Sequence, residues 1–378
     1  MNKLTALLVF CLMTPAMAAA QDDVSKRALA QELSRAFPQL ENNLKSTINQ
    51  YQMSASLSDL STQTKPQPQV RTFMAAMTTA NKTEIQARGL EKYTDELLEL
   101  RLADPSMLAR WQAGQSPLFA FEPEGAESEW QYIEAYDIDG NLHYLDVYDI
   151  PERPVLVVDT NNREELKAGL ALMRDEFKAL QSSEPSEKVK PAAYAMLRAA
   201  AEPTEINTTI LKKIQLKDDH EPWISGKAEI YAIVSGVSPS RDEPTIDVIE
   251  MPYLDYAEQS YPANQIMVFW DRYRWGAADI ILMEQDDKTD YKQLAQTILK
   301  AASDFLATIP DKEAQAYLII PQMTSAIIAL LPDDLFVNDD DFVDVFYTIM
   351  KDTEYTEHSG AGNNATADFA PLIIQKTQ

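Results

Sequence analysis
Between Trp223 and Tyr291 the chain passes through four apolar, β-rich stretches: WISGKAEIYAIVSGV, TIDVIEMPYL, QIMVFWDRYRW and ADIILMEQDDKTDY. Loops loaded with Asp and Glu separate them. Short apolar runs bounded by polar turns read as strands with a buried face. Their succession fits a β-sandwich whose end loops gather carboxylates. The expected fold class is therefore mixed α/β of the α+β kind. A helical and mixed-sheet N-terminal domain spans 21–185, and a boundary region spans 186–220. An acidic, antiparallel β-sandwich-like domain runs from 221 to 378.

Residues 1–20 read as a cleaved export signal. Lys3 supplies the positive start and Leu4–Thr14 the apolar stretch. Ala16-Met17-Ala18 and Ala18-Ala19-Ala20 are small-x-small cleavage sites. No later run reaches the roughly 18 apolar residues that a membrane span needs. Cys11 is the only cysteine and lies inside the signal, with Phe10 rather than a small residue before it. The expected mature protein is secreted or periplasmic. It has no disulfide, no thiol nucleophile and no cysteine zinc site. A net charge of −26 repels DNA, RNA and anionic lipid, so a protein or glycan partner is expected instead.

Leu29, Leu33, Phe37 and Leu40 place a helix over 24–50, with Pro38 as a kink or break. Ser61–Gln69 reads as a loop, and a second helix is expected from Thr83 to Leu102. A short helix, Met107–Trp111, follows. From Pro117 the texture changes to short strands: LFAF, WQYIEAYDI, LHYLDVY and PVLVVDT. Asp139-Gly140 makes a hairpin turn between two of them. Asp137-Ile-Asp-Gly-Asn141 resembles the opening of an EF-hand loop, but Gly falls at the wrong position and Tyr148 stands where a Glu is required. A third helix covers 162–181, and Gln181–Lys190 reads as a linker. A helical piece follows over 192–201, then a strand over 204–217. Later come a helix from Asp290 to Ile309 capped by Thr289 and a strand at Tyr317–Ile320. A strand over Phe342–Met350 and a loop from His358 to Asp368 complete the reading.

The acidic loops carry the site expectation. The first holds Asp242, Glu243 and Asp247. The second holds Glu284, Asp286, Asp287 and Asp290. The third holds Asp333, Asp334, Asp339, Asp340 and Asp341. Bunched carboxylates without histidines or thiols suit Ca²⁺, which takes six to eight oxygen ligands. The competing reading is that these are solvated turns, since Asp caps its own backbone. The expected calcium ligands are Asp242, Asp247, Glu284, Asp286, Asp287, Asp290, Asp339, Asp340 and Asp341.

Enzyme signatures are sparse. His143, His220 and His358 are the only histidines, and no H-E-x-x-H, G-x-S-x-G or Gly-rich phosphate loop occurs. A secreted hydrolase using a carboxylate pair stays open. Tyr253, Tyr256, Tyr261, Trp270, Tyr273 and Trp275, beside Arg272 and Arg274, would make a carbohydrate- or protein-binding platform if exposed, and core if not.

The arrangement of Asp242 and Asp247 with Glu284, Asp286 and Asp290 resembles the tip of a C2 domain, a Ca²⁺-binding β-sandwich. Over nearly the whole mature chain, PLFAFEPEG, EWQYIEAYDIDG, AEIYAIVSG, MPYLDY, PANQI and ILMEQDDKTDYK resemble domain of unknown function 3103. That is a family of secreted gammaproteobacterial proteins, and the resemblance implies export but no activity. The functional expectation is a non-enzymatic secreted or periplasmic binding protein with a calcium site in its acidic loops; the alternatives are a secreted carboxylate hydrolase and a carbohydrate-binding surface protein.

Overall fold
The computed structural model describes residues 19–61, 67–123, 125, 129–183, 205–217, 222–227, 229–239, 242–285, 289–331 and 342–375. In the first and last turns of two helices, over 19–25 and 181–183, only the backbone is described. The chain divides into two compact units. One comprises 1–80, 100–124 and 130–159, and the other 81–99, 125–129 and 160–378.

The first half contains α1 (Ala19–Thr47), β1 (Ser54–Ser56), α2 (Leu57–Leu60), α3 (Pro68–Ala87) and β2 (Leu98–Leu102). After these come α4 (Leu108–Gln112), β3 (Leu118–Ala120), β4 (Ile133–Tyr136), β5 (Leu142–Leu145) and β6 (Val155–Thr160). The sheet order is β1-β2-β6-β3-β4-β5, with β3 parallel to β6 and the β3–β4 and β4–β5 pairs antiparallel. Leu29, Leu33, Phe37, Leu40 and Leu44 recur at three- and four-residue spacing and bury one face of α1. Phe37 meets Phe119 of β3 with ring centroids 5.0 Å apart. The helix continues through Pro38 without the break that was one of the two expectations there.

The second expected helix is misplaced. It begins at Pro68, where a missing N–H costs nothing in the first turn, and it ends at Ala87. Gly89, at φ 67°, terminates it, and the Leu90 N–H reaches back to the Ile85 carbonyl at 3.0 Å. Leu98–Leu102 is the strand β2 rather than a helix end. The Asn81 side chain accepts the Leu97 and Leu98 N–H groups at 2.7 and 3.0 Å.

The second half contains α5 (Asn162–Ser183), β7 (Glu205–Leu216), β8 (Ile230–Val237), β9 (Pro244–Glu250), β10 (Ser260–Phe269) and β11 (Ala277–Glu284). It continues with α6 (Tyr291–Ala307), α7 (Lys312–Gln315), α8 (Ile319–Ile328), β12 (Phe342–Met350), β13 (Tyr355–Ser359) and β14 (Ala365–Gln375). Two four-stranded antiparallel sheets form, ordered β10-β7-β14-β13 and β12-β11-β8-β9. Strand alternation builds two cores. Ile230, Ala232 and Val234 of β8 pack with Leu211, Ile214, Ala367 and Phe369 of the other sheet. Tyr231 and Ile233 point the opposite way, toward Leu170, Leu294, Ile298 and Met323 of α5, α6 and α8. This is a sandwich with helices on one outer face. Helix α5 belongs to this unit and its Leu170 and Met173 share a core with α6 and α8; of the expected boundary region, 186–204 and 218–220 lie outside the described residues.

Three local expectations fail here. Tyr317–Ile320 leads into α8, whose Pro321 sits in the first turn where proline is tolerated. His358–Asp368 is a hairpin of β13 and β14, not a long loop. The cap of α6 is Asp290, which accepts the Gln293 N–H at 2.9 Å, rather than Thr289.

Helices α5 and α6 approach closely at Gly169. A Cβ there would stand 2.3 Å from the ring of Tyr291. Gly→Ala inside a helix ordinarily stabilises by about 1 kcal/mol, but overpacking a core costs about 1–3 kcal/mol. Gly169→Ala should therefore lose about 2 kcal/mol in urea denaturation. A gain in stability would show that the α5–α6 contact is loose.

Candidate functional site
The β4–β5 hairpin is built around one carboxylate. Asp137 Oδ1 accepts the N–H groups of Asp139 and Asn141 at 3.0 and 2.9 Å. Its Oδ2 meets Asn141 Nδ2 and His143 Nε2, both at 3.0 Å. The His143 contact, then those from Asn141, hold the Asp137 carboxyl far below the usual carboxylate range. Gly140 takes φ 82°, which the turn requires. Asp137 therefore serves the turn, as the hairpin reading expects. The Ser34 hydroxyl of α1 donates to the Asp137 carbonyl at 2.5 Å and anchors the hairpin. After β5, Asp146 accepts the Tyr148 and Asp149 N–H groups at 2.8 and 3.0 Å, and these bonds keep its carboxyl low.

Between these two turns the strand is apolar and open. Ile133 and Ala135 bury one face of β4. Tyr132 (46% exposed), Leu142 (42%), Tyr144 (61%) and Tyr148 (71%) remain in solvent. Tyr132 and Tyr144 meet edge to face at 4.6 Å. Ile138 and Ile150 are also exposed. Sequence reading found both strands but not this surface. The available signal was an excess of apolar residues over what one buried face of a two-stranded ribbon can use.

The carboxylates expected to bind calcium do not converge in the described residues. Asp242 pairs with Arg274 at 2.7 Å and with Lys312 at 3.7 Å. Asp247 accepts the Tyr273 hydroxyl at 2.6 Å and pairs with Arg272. Protein cations thus sit where a metal was expected. Glu284 is buried at the end of β11, and Asp290 caps α6. Asp286, Asp287, Asp339, Asp340 and Asp341 lie outside the described residues, as do Asp333 and Asp334. Among the described residues, no three His, Cys, Asp or Glu side chains are grouped to hold a metal ion.

The aromatic cluster divides between core and surface. Trp270 and Tyr273 are buried, and Trp270 Nε1 donates to Thr209 Oγ1 at 3.0 Å. Tyr253 is half-buried and donates to Gln265 at 2.5 Å. Tyr256 is exposed. Trp275, at φ 60°, lies under the Arg274 guanidinium at 5.1 Å and donates to Glu313 at 3.1 Å.

A family model described as "Protein of unknown function (DUF3103)" matches residues 26–377. The chain belongs to the DUF3103 family. No curated protein and no solved structure matches it. Among the described residues of this DUF3103 chain, no helix is long and apolar enough to cross a membrane.

Two fully buried carboxylates in the DUF3103 chain serve the fold. Asp344 of β12 accepts four backbone N–H groups. Val345 and Gly362 reach Oδ1 at 2.7 and 2.6 Å. Asn364 and Ala365 reach Oδ2 at 2.9 and 2.7 Å. Asp279 of β11 lies opposite Ser235 of β8, where the β12 pairing slips and Thr348 takes φ 55°. The Thr348 N–H donates to Asp279 Oδ1 at 2.7 Å. The Ser235 and Thr324 hydroxyls meet at 2.6 Å. Among the described residues Asp279 Oδ2 meets no donor in hydrogen-bond geometry. Burial pushes this carboxyl up to about 6, and the Thr348 N–H and Thr324 hydroxyl offset only part of that rise.

Proposed function
We propose that this DUF3103 protein is an exported, non-enzymatic binding protein that engages a polypeptide partner through the β4–β5 hairpin. The observation that carries this reading is the exposure of Tyr132, Leu142, Tyr144 and Tyr148 together on one hairpin and its following turn. Exposed apolar patches on soluble proteins mark interaction surfaces. Tyr supplies large, rigid contact area at little entropic cost. Export rests on the signal pattern of residues 1–20. The test is a photo-cross-linking amino acid placed at Tyr144, at Tyr148, or at Tyr51, which is 89% exposed beside β1 at the other end of the sheet order. Irradiation of producing cells should give a discrete polypeptide adduct from positions 144 and 148 and none from 51. No adduct, or equal adducts from all three, would sink the reading.

Calcium binding at the Glu284–Asp290 segment is a second reading. It draws support from Gln285, whose buried side-chain amide meets no hydrogen-bond partner among the described residues. A native-state ligand at a hundredfold excess over Kd adds about 2.7 kcal/mol. Melting in excess EDTA and then in Ca²⁺ should differ by several degrees, and Asp286→Ala with Asp287→Ala should abolish the difference. An unchanged melting temperature refutes this reading.

A further inference from the structure
We propose that β5 receives one extended, basic polypeptide segment as an added strand. This inference rests on the binding reading above and names the partner's chemistry. A sheet edge offers unpaired N–H and C=O groups, and proteins usually blunt it with a bulge, a proline, a charge or a cover. The other described edges carry such devices. The edge of β9 begins at Pro244, and its Val248 and Glu250 carbonyls accept Arg174 and Gln265 side chains at 3.0 and 2.8 Å. Strand β10 holds Pro262, two register shifts and Asn264 at φ 50°. Strand β13 has a register shift and Glu357 at φ 48°. Strand β12 carries the slip at Thr348, and its Val345 carbonyl accepts the Ala361 N–H at 2.8 Å. Strand β1 runs directly into α2, which packs against it.

Strand β5 has no proline, lysine or bulge. Its pairing with β4 is regular from Leu142 to Leu145, and among the described residues nothing pairs with its outer edge. Its exposed side chains, Leu142 and Tyr144, point to one face at alternate positions. An incoming strand would therefore place alternate apolar residues beside them. The rim selects charge. Asp139, Asp146, Asp149 and Glu152 are all exposed around the hairpin. Of the nearby cations, Arg153 is turned inward and donates to the Ser116 and Pro117 carbonyls at 2.8 and 3.2 Å, Arg27 pairs with Glu134 at 2.9 Å, and the exposed Arg110 donates to the Glu152 carbonyl, so the rim stays net acidic. Such a rim attracts Lys and Arg. It disfavours a second copy of this chain, because pairing two β5 edges brings like charges together. Four residues of strand allow about four ladder hydrogen bonds, so the apolar and charged contacts must contribute most of the selectivity.

The experiment uses the full mature chain and fluorescence anisotropy with a labelled (Val-Lys)4 peptide. Three comparators are needed: (Val-Glu)4, a fully backbone N-methylated (Val-Lys)4, and the protein carrying Leu142→Thr with Tyr144→Ser. Both substituted residues are exposed, and circular dichroism checks that the variant is folded. The expected result is saturable binding of (Val-Lys)4 that weakens at least tenfold in each comparison and falls with added salt. Equal binding of (Val-Glu)4 overturns the basic class, and equal binding of the N-methylated peptide overturns strand addition. Unchanged binding to the variant overturns the site. A dimer in sedimentation that the same double substitution dissociates assigns the edge to a second copy and also overturns the proposal. If the peptides fail while positions 144 and 148 still cross-link to a polypeptide, the binding reading stands and only strand addition falls.

Discussion

Asp344→Ala should remove about 4 kcal/mol of unfolding free energy, because breaking a buried charged hydrogen-bond network typically costs 3–5 kcal/mol. Four backbone N–H groups lose their acceptor at once, and a buried unsatisfied donor costs about 1–3 kcal/mol. The loss is a large part of the roughly 5–15 kcal/mol that stabilises a typical domain. Asp344→Asn keeps the shape but turns an NH2 group toward donors, so it should fall between the parent and the alanine variant. Gly360→Ala tests the same cage from outside. Its Cβ would stand 2.3 Å from the Asp344 carboxyl carbon and should drive the carboxylate out of the loop. Urea denaturation of the three variants decides the matter. If Asn behaves as the parent does, packing rather than hydrogen bonding holds the loop.

Asp279→Asn should act in the opposite direction. The folded-state carboxyl titrates near 6, whereas an unfolded Asp titrates near 3.9. A raised folded pKa means that the native state favours the neutral acid. The stabilising contribution is complete below about pH 4 and is lost as pH rises to about 6 and beyond. At pH 8 the buried charge therefore costs about 3 kcal/mol, from roughly two pKa units at 1.36 kcal/mol each. Asn keeps an oxygen for the Thr348 N–H and brings a donor toward the Thr324 and Ser235 hydroxyls. Its advantage over the parent should be near 3 kcal/mol at pH 8 and vanish near pH 4. The same advantage at both pH values would show that Asp279 has the same pKa folded and unfolded.

Most of the secondary structure was legible where one periodicity dominated. The α1 residues Leu29, Leu33, Phe37 and Leu40 fall at helical spacing, and β8 and β11 are mainly apolar runs, with Ser235 in one and Asp279 in the other as the polar interruptions. The reading failed where a single residue overrode its neighbours. Gly89 ends α3, and the Leu97–Leu102 run, which has helical as well as strand character, then becomes β2. Pro321 falls in a first helical turn, so apolar residues that suit a strand join a helix. The small and polar 358–368 segment reads as a loop because the carboxylate that organises it, Asp344, lies sixteen residues before Gly360 in sequence. The partners of the first acidic loop were hidden for a related reason. Composition locates Asp242 and Asp247, but it cannot reveal that Arg272, Arg274 and Lys312 fold back onto them. The β4–β5 surface was missed because exposure, not residue type, distinguishes Tyr144 from a core tyrosine.

Strand β7 lies between β10 and β14, and its pairing with β14 joins Glu205 to Gln375. The sandwich therefore cannot close until residue 375 has left the ribosome, and every earlier length of chain leaves β7 without one neighbour. Contacts this distant in sequence form slowly. If the chain is exported as proposed above, the delay is an asset: the C-terminal unit stays threadable until its last strand, β14, has been made.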